Sequence, residues 1–360
     1  MTVIDSTAVG SMAPANACDP EGCDPALPLL CDPDIPCGPD NCVPDCSPSD
    51  CPPDGFTGRG QQTRFLWLDL TRDCMLNCGH CYNESGPNGD RKLLPVLGAS
   101  ASLMEPGDWF NVLDQAVRIG VSVVQLIGGE PTMYAGFSAV LTHAVTIGLE
   151  VEIYTNLVSI RDAWWDLFKH PRVSLATSYY SDDPVEHNEI TERNSHRQTR
   201  ANIIRAIGLG IPLRVGIVQK YPTQRVREAR VELEALGVRP DRIRLDRVRG
   251  FGRGQGDHAA CDLSELCGNC GNGRAAIGPD GAVTPCIMSA WLNAGNVKQQ
   301  SLADILTGND MAQATASIRT AVGTRIDACD PPDPCDPRDD GDACSPGTPP
   351  SECGPKDQKK

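Results

Sequence analysis

Three cysteines lie within the ten-residue stretch CMLNCGHCYN, at Cys74, Cys78 and Cys81. Thiolates this close together are typical ligands for zinc or for the irons of an iron–sulfur cluster. A structural zinc site, or a cluster closed by protein, takes four ligands, and no fourth cysteine follows nearby. The spacing therefore predicts either a site completed from elsewhere in the chain or a cluster with one open position.

A glycine-rich turn supplies a second chemical group. The sequence GGEP spans residues 128–131 and follows a short apolar run. Glycine lets the backbone approach a ligand closely because it has no side chain. The carboxylate of Glu130 could hold an ammonium group. This turn is therefore a candidate binding element.

A second group of cysteines lies further along the chain, in CGNCGNGRAAIGPDGAVTPC, and comprises Cys267, Cys270 and Cys286. The sequence Pro-Asp-Gly at 279–281 favours a tight turn, so AAIGPDGAVTPC is predicted to form a small hairpin. Such a hairpin returns Cys286 to the neighbourhood of Cys267 and Cys270. These three thiols predict a second metal site, with zinc as the alternative to iron and sulfur.

The elements that must position these residues alternate regularly. Short β-branched apolar runs, typical of buried strands, occupy 65–70, 121–127, 150–155, 172–178, 212–218 and 242–248. Helical periodicity occupies 105–120, 137–148, 161–170, 196–210 and 224–237. This alternation predicts a parallel sheet with helices outside. Six units are fewer than the eight of a closed barrel, so we expect an α/β fold, a partial (β/α)6 barrel that is laterally open.

Chemistry in such folds lies at the carboxyl ends of the strands. Cys74, Cys78 and Cys81 follow the first predicted strand, and GGEP follows the second. Both elements should therefore meet at one end of the barrel.

Composition divides the chain into four parts. The formal net charge of −15 belongs mainly to the ends, because 1–60 carries ten acidic residues and one arginine, and 326–360 carries nine acidic and four basic residues. Both ends are rich in cysteine, proline and aspartate and poor in large apolar residues, so we expect disorder there, with metal binding by their thiols as the alternative. The barrel is predicted at 61–250 and a small auxiliary domain at 251–325.

Charge and hydropathy exclude several classes of function. The nearly neutral middle of the chain offers no basic surface for nucleic acid. The N-terminus lacks the basic and apolar regions of a secretory signal, and no apolar run is long enough to cross a membrane. We therefore expect a cytoplasmic protein without a membrane partner, in which cysteine spacing indicates metal or redox chemistry rather than disulfides.

The motif Cys-x3-Cys-x2-Cys after the first strand, with Gly-Gly-Glu after the second, resembles the radical S-adenosylmethionine (SAM) superfamily. His80 fills the position that is usually aromatic, and the resemblance covers about residues 61–250. It implies a [4Fe–4S] cluster on Cys74, Cys78 and Cys81 whose fourth iron is chelated by the amino and carboxylate groups of SAM. Reductive cleavage would then give a 5′-deoxyadenosyl radical that abstracts hydrogen from the substrate.

The same resemblance implies a set of cofactor-binding residues. The methionine amino end is expected at the glycine-rich turn, an aromatic ring beside the cofactor, and polar groups at the ribose hydroxyls. These positions correspond to Gly128, Gly129 and Glu130, to Tyr82, and to Asn156 and Ser178. Ordinary strand-end capping is the alternative for the last two. Three arginines are candidates for the SAM carboxylate, and the sequence does not choose among Arg193, Arg197 and Arg200.

The stretch Cys270-x10-Gly281-x4-Cys286 resembles the auxiliary-cluster domains called SPASM and twitch. It implies one auxiliary iron–sulfur cluster, of the [4Fe–4S] type, on Cys267, Cys270 and Cys286. The fourth ligand could be Cys261, a cysteine of the C-terminal tail, or none, with the substrate on the open iron. Cys261 could alternatively be a catalytic hydrogen donor or an incidental thiol in a linker. The glycine-rich stretch RGFGRGQGDH at 249–258 is interpreted as the bridge between barrel and auxiliary domain.

The resemblance indicates an enzyme that modifies a ribosomally made peptide by cross-linking, oxidation or epimerisation. It would require a reductant such as a flavodoxin or ferredoxin. The alternative is an epimerase or dehydrogenase of a carbohydrate or another small natural product. A hypothesis from another class is a non-catalytic iron–sulfur or metal-binding protein, which the complete cysteine motif and Glu130 disfavour.

Overall fold

One sheet of nine strands passes through the structure, a computed structural model that describes residues 62–98, 102–256 and 261–322. The strand order is β6-β5-β4-β3-β2-β1-β7-β8-β9. The two cysteine-rich ends, and the expectation that they are disordered, lie outside the described residues.

The first six strands are parallel and form the predicted partial barrel. They are β1 Phe65–Asp69, β2 Val123–Ile127, β3 Glu150–Tyr154, β4 Val173–Tyr179, β5 Leu213–Gln219 and β6 Ile243–Arg247. Each bound lies within two residues of its sequence-based prediction. The α/β fold class is thereby confirmed.

Helices connect the strands. They are α1 Gly89–Leu97, α2 Pro106–Arg118, α3 Phe137–Thr146, α4 Asp162–Phe168, α5 Pro184–Thr191, α6 His196–Gly208, α7 Val226–Ala235, α8 Leu302–Leu306 and α9 Asn309–Val322. The five helices predicted between barrel strands are present, whereas α1 and α5 were not predicted. No described helix combines the length and the apolar character needed to span a bilayer.

Burial of both sheet faces explains the continuous apolar strands. On β1, Leu66 and Leu68 belong to the large core that also contains Trp109 of α2 and Phe137 of α3. The alternate residue Trp67 belongs to a second apolar cluster, together with Cys270 and Cys286. Successive side chains of a strand point to opposite faces. The strand β1 therefore lies between the helical layer and the auxiliary region.

The C-terminal hairpin extends the barrel sheet. Strands β7 Arg274–Ile277 and β8 Ala282–Thr284 are antiparallel, which confirms the predicted hairpin around 279–281. The short β9 Gly295–Asn296 pairs with β8. Strand β7 also pairs in parallel with β1, with Phe65 opposite Arg274 and Leu68 opposite Ile277. The auxiliary region is thus joined to the barrel by backbone hydrogen bonds.

A buried ion pair lies in the polar layer of the sheet. The Arg214 guanidinium donates from Nε and Nη2 to the two carboxylate oxygens of Glu152, each at 2.7 Å. Gln125 donates to the same carboxylate. The Arg214 guanidinium also lies 5.3 Å from the centre of the Tyr154 ring. This polar layer therefore supports Tyr154, which ends β3.

Candidate active site

An open cavity lies at the carboxyl ends of the barrel strands. The loop after β1 lines it with Cys74, Cys78 and Cys81, and the turn after β2 lines it with Gly128 and Gly129. The two elements that the sequence placed at one end of the barrel therefore face the same space.

The loop that carries the three thiols is fixed by its own backbone. The N–H of Cys74 donates to the Gly86 carbonyl at 3.1 Å, and the N–H of Gly86 donates to the Arg72 carbonyl at 3.1 Å. Asn77 joins the loop to the end of α5, since its N–H donates to the Thr191 carbonyl at 3.1 Å. The cysteines are thus held on a defined loop.

Burial shapes the acidity of these thiols. It raises the pKa of Cys74 well above its ordinary value and raises that of Cys78 to about 12. A buried thiolate is unfavourable unless a positive charge compensates it. Iron ions would supply that compensation, so three soft donors around one cavity fit an iron–sulfur cluster. Among the described residues, no three His, Cys, Asp or Glu side chains converge as a site for a single metal ion.

The two glycines of the turn after β2 are required by close backbone packing. A Cβ at Gly128 would lie 2.6 Å from the Thr71 carbonyl oxygen, and one at Gly129 would lie 2.6 Å from that of Asp73. The N–H of Gly129 donates to the Thr71 carbonyl at 2.7 Å, and that of Glu130 to the Asp73 carbonyl at 2.9 Å. The turn is therefore attached to the start of the thiol loop.

Glu130 is buried, and it is not among the residues that line the cavity. Its Oε1 accepts hydrogen bonds from the Thr132 and Thr155 hydroxyls at 2.6 and 2.7 Å. Its Oε2 accepts the backbone N–H of Asn156 at 2.8 Å. Burial raises the pKa of Glu130, and these hydrogen bonds oppose that shift. The carboxylate thus organises the loop after β3, and whether it also meets a cofactor stays a prediction.

The other predicted cofactor residues, Tyr82, Asn156 and Ser178, all line the cavity. The Asn156 side-chain amide lies 3.6 Å from the Cys74 sulfur, and the Ser178 hydroxyl lies 3.1 Å from that of Tyr154. The Tyr82 hydroxyl is buried and has no hydrogen-bond partner among the described residues. A polar group arriving in the cavity could satisfy it.

His80 lies against Tyr180, with ring centres 5.2 Å apart and an edge-to-face arrangement. Burial lowers the pKa of His80 to about 4. The imidazole is therefore neutral near pH 7 and acts as an aromatic wall of the cavity. Tyr180 directly follows β4. Residues at the carboxyl ends of barrel strands are expected to line the site, so the sequence could have identified Tyr180 as a site residue.

The arginines that line the cavity are not those considered from the sequence. Arg193 is exposed, and Arg197 and Arg200 line a different cavity on α6. The lining residues of the central cavity instead include Arg247, Arg249 and Arg253, at and after the end of β6. The sequence signal that could have selected these arginines was their position at the carboxyl end of a predicted strand.

The second cysteine group is brought together as predicted by its spacing. Cys270 and Cys286 are buried in one apolar cluster, and Cys267 packs against it. The thiol of Cys270 hydrogen-bonds with those of Cys267 and Cys286, and its hydrogen bond lowers the pKa of Cys267. Arg249 and Arg274 also lower it, by their positive charge. These three thiols fit the predicted second cluster.

The roles suggested for Cys261, cluster ligand and hydrogen donor, stay predictions. Its sulfur is 3.8 Å from the Gln255 side-chain oxygen, and it packs against the apolar cluster that contains Cys270. It is not among the residues that line the central cavity. Burial raises the pKa of its thiol, with a smaller contribution from Glu84.

Met288 connects the two cysteine groups. Its side chain lines the central cavity, while its backbone N–H lies 3.5 Å from the Cys286 sulfur. A substrate in the cavity would therefore lie between the first thiol group and the hairpin end that carries Cys286.

Two family profiles match the chain. The profile described as the radical SAM superfamily matches residues 68–251, which is more than half of the chain. The profile of the SPASM iron–sulfur cluster-binding domain matches residues 267–336. This second match extends beyond 325, the end predicted for the auxiliary domain, and includes Cys329 and Cys335, which lie outside the described residues.

Among characterised proteins, the chain is similar to a PqqA peptide cyclase of Xanthomonas oryzae pv. oryzae. The two are 25% identical over 279 residues, which cover 66% of this chain and 72% of the relative. The same identity and coverage apply to the PqqA peptide cyclase of Xanthomonas axonopodis pv. citri.

Solved structures share the fold. Streptococcus suis SuiB bound to the precursor peptide SuiA has a TM-score of 0.56 and 17% identity, covering 71% of this chain and 67% of SuiB. The structure of anSMEcpe with bound AdoMet and Cp18Cys peptide has a TM-score of 0.52 and 10% identity, covering 73% and 84%.

Proposed function

The chain belongs to the radical SAM superfamily and carries a SPASM iron–sulfur domain, and from that premise we propose that it modifies a peptide. The observation that carries the proposal is the similarity to PqqA peptide cyclases over 66% of the chain. The similar folds of SuiB with a precursor peptide and of anSMEcpe with a peptide agree with it. Cross-linking, oxidation and epimerisation are the proposed reaction types.

Cys74, Cys78 and Cys81 are the proposed ligands of the [4Fe–4S] cluster that works with SAM. When bound, that cluster and SAM supply a 5′-deoxyadenosyl radical, which takes a hydrogen atom from the substrate. The chain holds the cofactor and shields it from water. Backbone groups of Gly128 and Gly129, the Tyr82 ring, and the polar side chains of Asn156 and Ser178 are proposed to contact SAM.

Glu130 does not line the cavity but holds residues that do. Its carboxylate fixes the backbone of Asn156, and its neighbour Gly129 is fixed against Thr71. Such supporting contacts keep binding groups oriented before the ligand arrives. Glu130 is therefore proposed as a residue of the cofactor site, whether or not it touches the methionine end itself.

The auxiliary cluster is proposed to lie on Cys267, Cys270 and Cys286. The fourth ligand of this cluster is not assigned: the candidates are Cys261, Cys329, Cys335 and the substrate. The reductant is proposed to be a flavodoxin or a ferredoxin, because cleavage of SAM requires an electron.

The test uses the full-length protein, reconstituted anaerobically with iron and sulfide. Incubation with SAM and dithionite should give 5′-deoxyadenosine, and a Cys78→Ala variant should give none. Short peptides encoded next to the gene are then added, and their masses are measured. A mass change that depends on SAM supports a peptide substrate. Turnover of SAM with a change only in an added aminoglycoside or sugar would overturn it.

A further inference from the structure

The glycine-rich bridge after β6 packs directly on the thiol loop. We define it as the connector, residues 249–255, which joins β6 to the auxiliary region. Sequence analysis assigned no chemical role to its glycines. In the structure, the connector contacts the loop at residues 78–85, between Cys78 and Ser85.

Arg253 makes most of these contacts. Its backbone N–H donates to the Cys81 carbonyl at 2.9 Å. Its Nε donates to the Cys78 carbonyl at 2.8 Å, and its Nη2 donates to the Ser85 carbonyl at 2.7 Å. One residue thus satisfies three backbone carbonyls of the loop, two of them on proposed cluster ligands.

Glycine is needed beside Arg253 because the two backbones nearly touch. Gly252 has φ of +52°, and a Cβ there would lie 2.4 Å from the Tyr82 carbonyl oxygen and 2.5 Å from that of Cys81. Real Cβ atoms do not approach backbone oxygens so closely. The glycine therefore allows the approach that brings the Arg253 N–H to Cys81.

The other end of the connector is anchored in the auxiliary region. Phe251 is buried in the apolar cluster that includes Cys270 and Cys286. Its ring lies 5.3 Å from that of Trp291. Within three consecutive residues, 251–253, the connector therefore contacts the thiol loop and also the apolar cluster around the second cysteine group.

No carboxylate in the part of the chain that the structure describes pairs with Arg253. Within the described ranges, its guanidinium makes its hydrogen bonds to carbonyls and forms no ion pair. Arg253 is half-buried and lines the same cavity as the three thiols, and a cation there favours added negative charge in that cavity.

We propose that Arg253 is a positioning residue that fixes the thiol loop to the auxiliary region and places a positive charge beside the first cluster. The proposal rests on the proposed function only in assigning that cluster to Cys74, Cys78 and Cys81. Two separable effects follow from the two properties of the guanidinium. Its geometry orders the loop, and its charge favours the reduced, more negative state of the cluster.

The test compares Arg253→Lys and Arg253→Gln in the full-length protein, with Arg239→Gln as the control. Arg239 is exposed and forms its ion pair, as far as the described residues go, with Asp241. Hydrogen–deuterium exchange is measured for peptides covering 78–86 before reconstitution. Because neither Lys nor Gln reproduces the forked contacts, exchange should be about tenfold faster in both variants, which corresponds to the loss of one strong hydrogen bond. The control should exchange like the wild type.

The second measurement is the midpoint potential of the first cluster after reconstitution, followed by its EPR signal. Arg253→Gln should shift the potential to more negative values, whereas Arg253→Lys, which keeps the charge, should stay near the wild type. Unchanged loop exchange in both variants would overturn the positioning role. Equal potentials in the Lys and Gln variants would overturn the role of the charge.

These outcomes are distinguishable from a failure of the proposed function. If wild-type protein cleaves no SAM, the function fails, while loop exchange still reports on Arg253. If Arg253→Gln retains no iron, the exchange comparison before reconstitution decides the positioning role. A potential of Arg253→Lys far from that of the wild type would then overturn the role of the charge, because Lys keeps the charge.

Discussion

The backbone N–H of Asn156 donates to Glu130 Oε2 at 2.8 Å, so a carboxylate outside the cavity fixes a residue that lines it. The side chain of Asn156 in turn reaches to 3.6 Å from the Cys74 sulfur. Three elements, the ends of β2 and β3 and the thiol loop, are joined through these two residues. Perturbing Glu130 should therefore affect cofactor binding through Asn156.

The variant Glu130→Gln tests this relationship. Gln replaces one acceptor oxygen by an NH2 group, which donates. The backbone N–H groups of Thr132 and Asn156 also donate, so one of these hydrogen bonds would be lost. We expect the free energy of unfolding to fall by about 1.5–3 kcal/mol, the range for hydrogen bonds to charged groups. SAM affinity, measured by equilibrium dialysis on the reconstituted protein, should fall as well.

The control for this variant is Glu150→Gln, which changes an acid at the start of β3 that pairs with Arg172 on the surface. It should alter neither quantity appreciably. Lost stability together with unchanged SAM affinity in Glu130→Gln would show that Glu130 serves the fold alone.

The buried ion pair between Arg214 and Glu152 should dominate the stability of the polar layer. Removing one partner, as in Arg214→Met, leaves an uncompensated buried carboxylate and should cost about 3–5 kcal/mol in the free energy of unfolding. The matched surface pair is Arg172 with Glu150, and Arg172→Met should cost only about 0–1 kcal/mol. Urea unfolding at constant pH measures the free energy of unfolding of both variants. Equal decreases in the two variants would contradict the assignment of one pair as buried and the other as exposed.

Asp69 should make stability depend on pH. Burial raises its pKa to about 6 in the folded protein, against the opposing charge of Arg72. The folded state then binds a proton more tightly than the unfolded state, so stability from this group is fully present below about pH 4 and falls as pH rises through about 6. The total change is about 3 kcal/mol, since one unit of pKa corresponds to about 1.4 kcal/mol.

The variant Asp69→Asn cannot titrate and should lose this part of the pH dependence. Unfolding of the iron-free protein at several pH values between 4 and 7 measures it. A curve for Asp69→Asn that is parallel to that of the wild type would disprove the assignment.

Iron analysis decides between the roles of Cys261. Its sulfur contacts Gln255, and it does not line the central cavity, so Cys261→Ala should retain the iron content of the wild type and its formation of 5′-deoxyadenosine. Cys286→Ala should lose the iron of the second site. A loss of about four irons in Cys261→Ala would identify Cys261 as a ligand instead.

The strands and the site were predictable from sequence to different extents. The six barrel strands were located within two residues because buried parallel strands are continuous apolar runs. Helix α1 was missed because Pro95 lies inside it and interrupts a helical pattern. Helix α5 was missed because its eight residues are mostly polar and show no apolar periodicity. Asp183 in fact caps it, accepting from the N–H of Val185 at 2.7 Å.

Long-range relationships could not be read from local pattern. Periodicity reports that a segment is a strand but does not name its partner, so the pairing of β1 with β7 was not anticipated. The cavity arginines were sought after β4, at Arg193, Arg197 and Arg200, whereas the lining residues are Arg247, Arg249 and Arg253. Their position after β6 made these arginines candidates, but only the three-dimensional structure shows that the end of β6 faces the thiol loop.

The parallel pairing of β7 with β1 has a consequence for anyone who wishes to dissect the protein. Strand β1 has β2 on one side and β7 on the other, so it is an interior strand of the sheet. A truncation after residue 250 would remove β7, the neighbour of β1, and leave a row of unpaired backbone groups on β1 next to the thiol loop. Such an exposed edge invites aggregation. The auxiliary region is therefore not a detachable accessory, and an excised barrel is a poor reagent for studying the radical site in isolation.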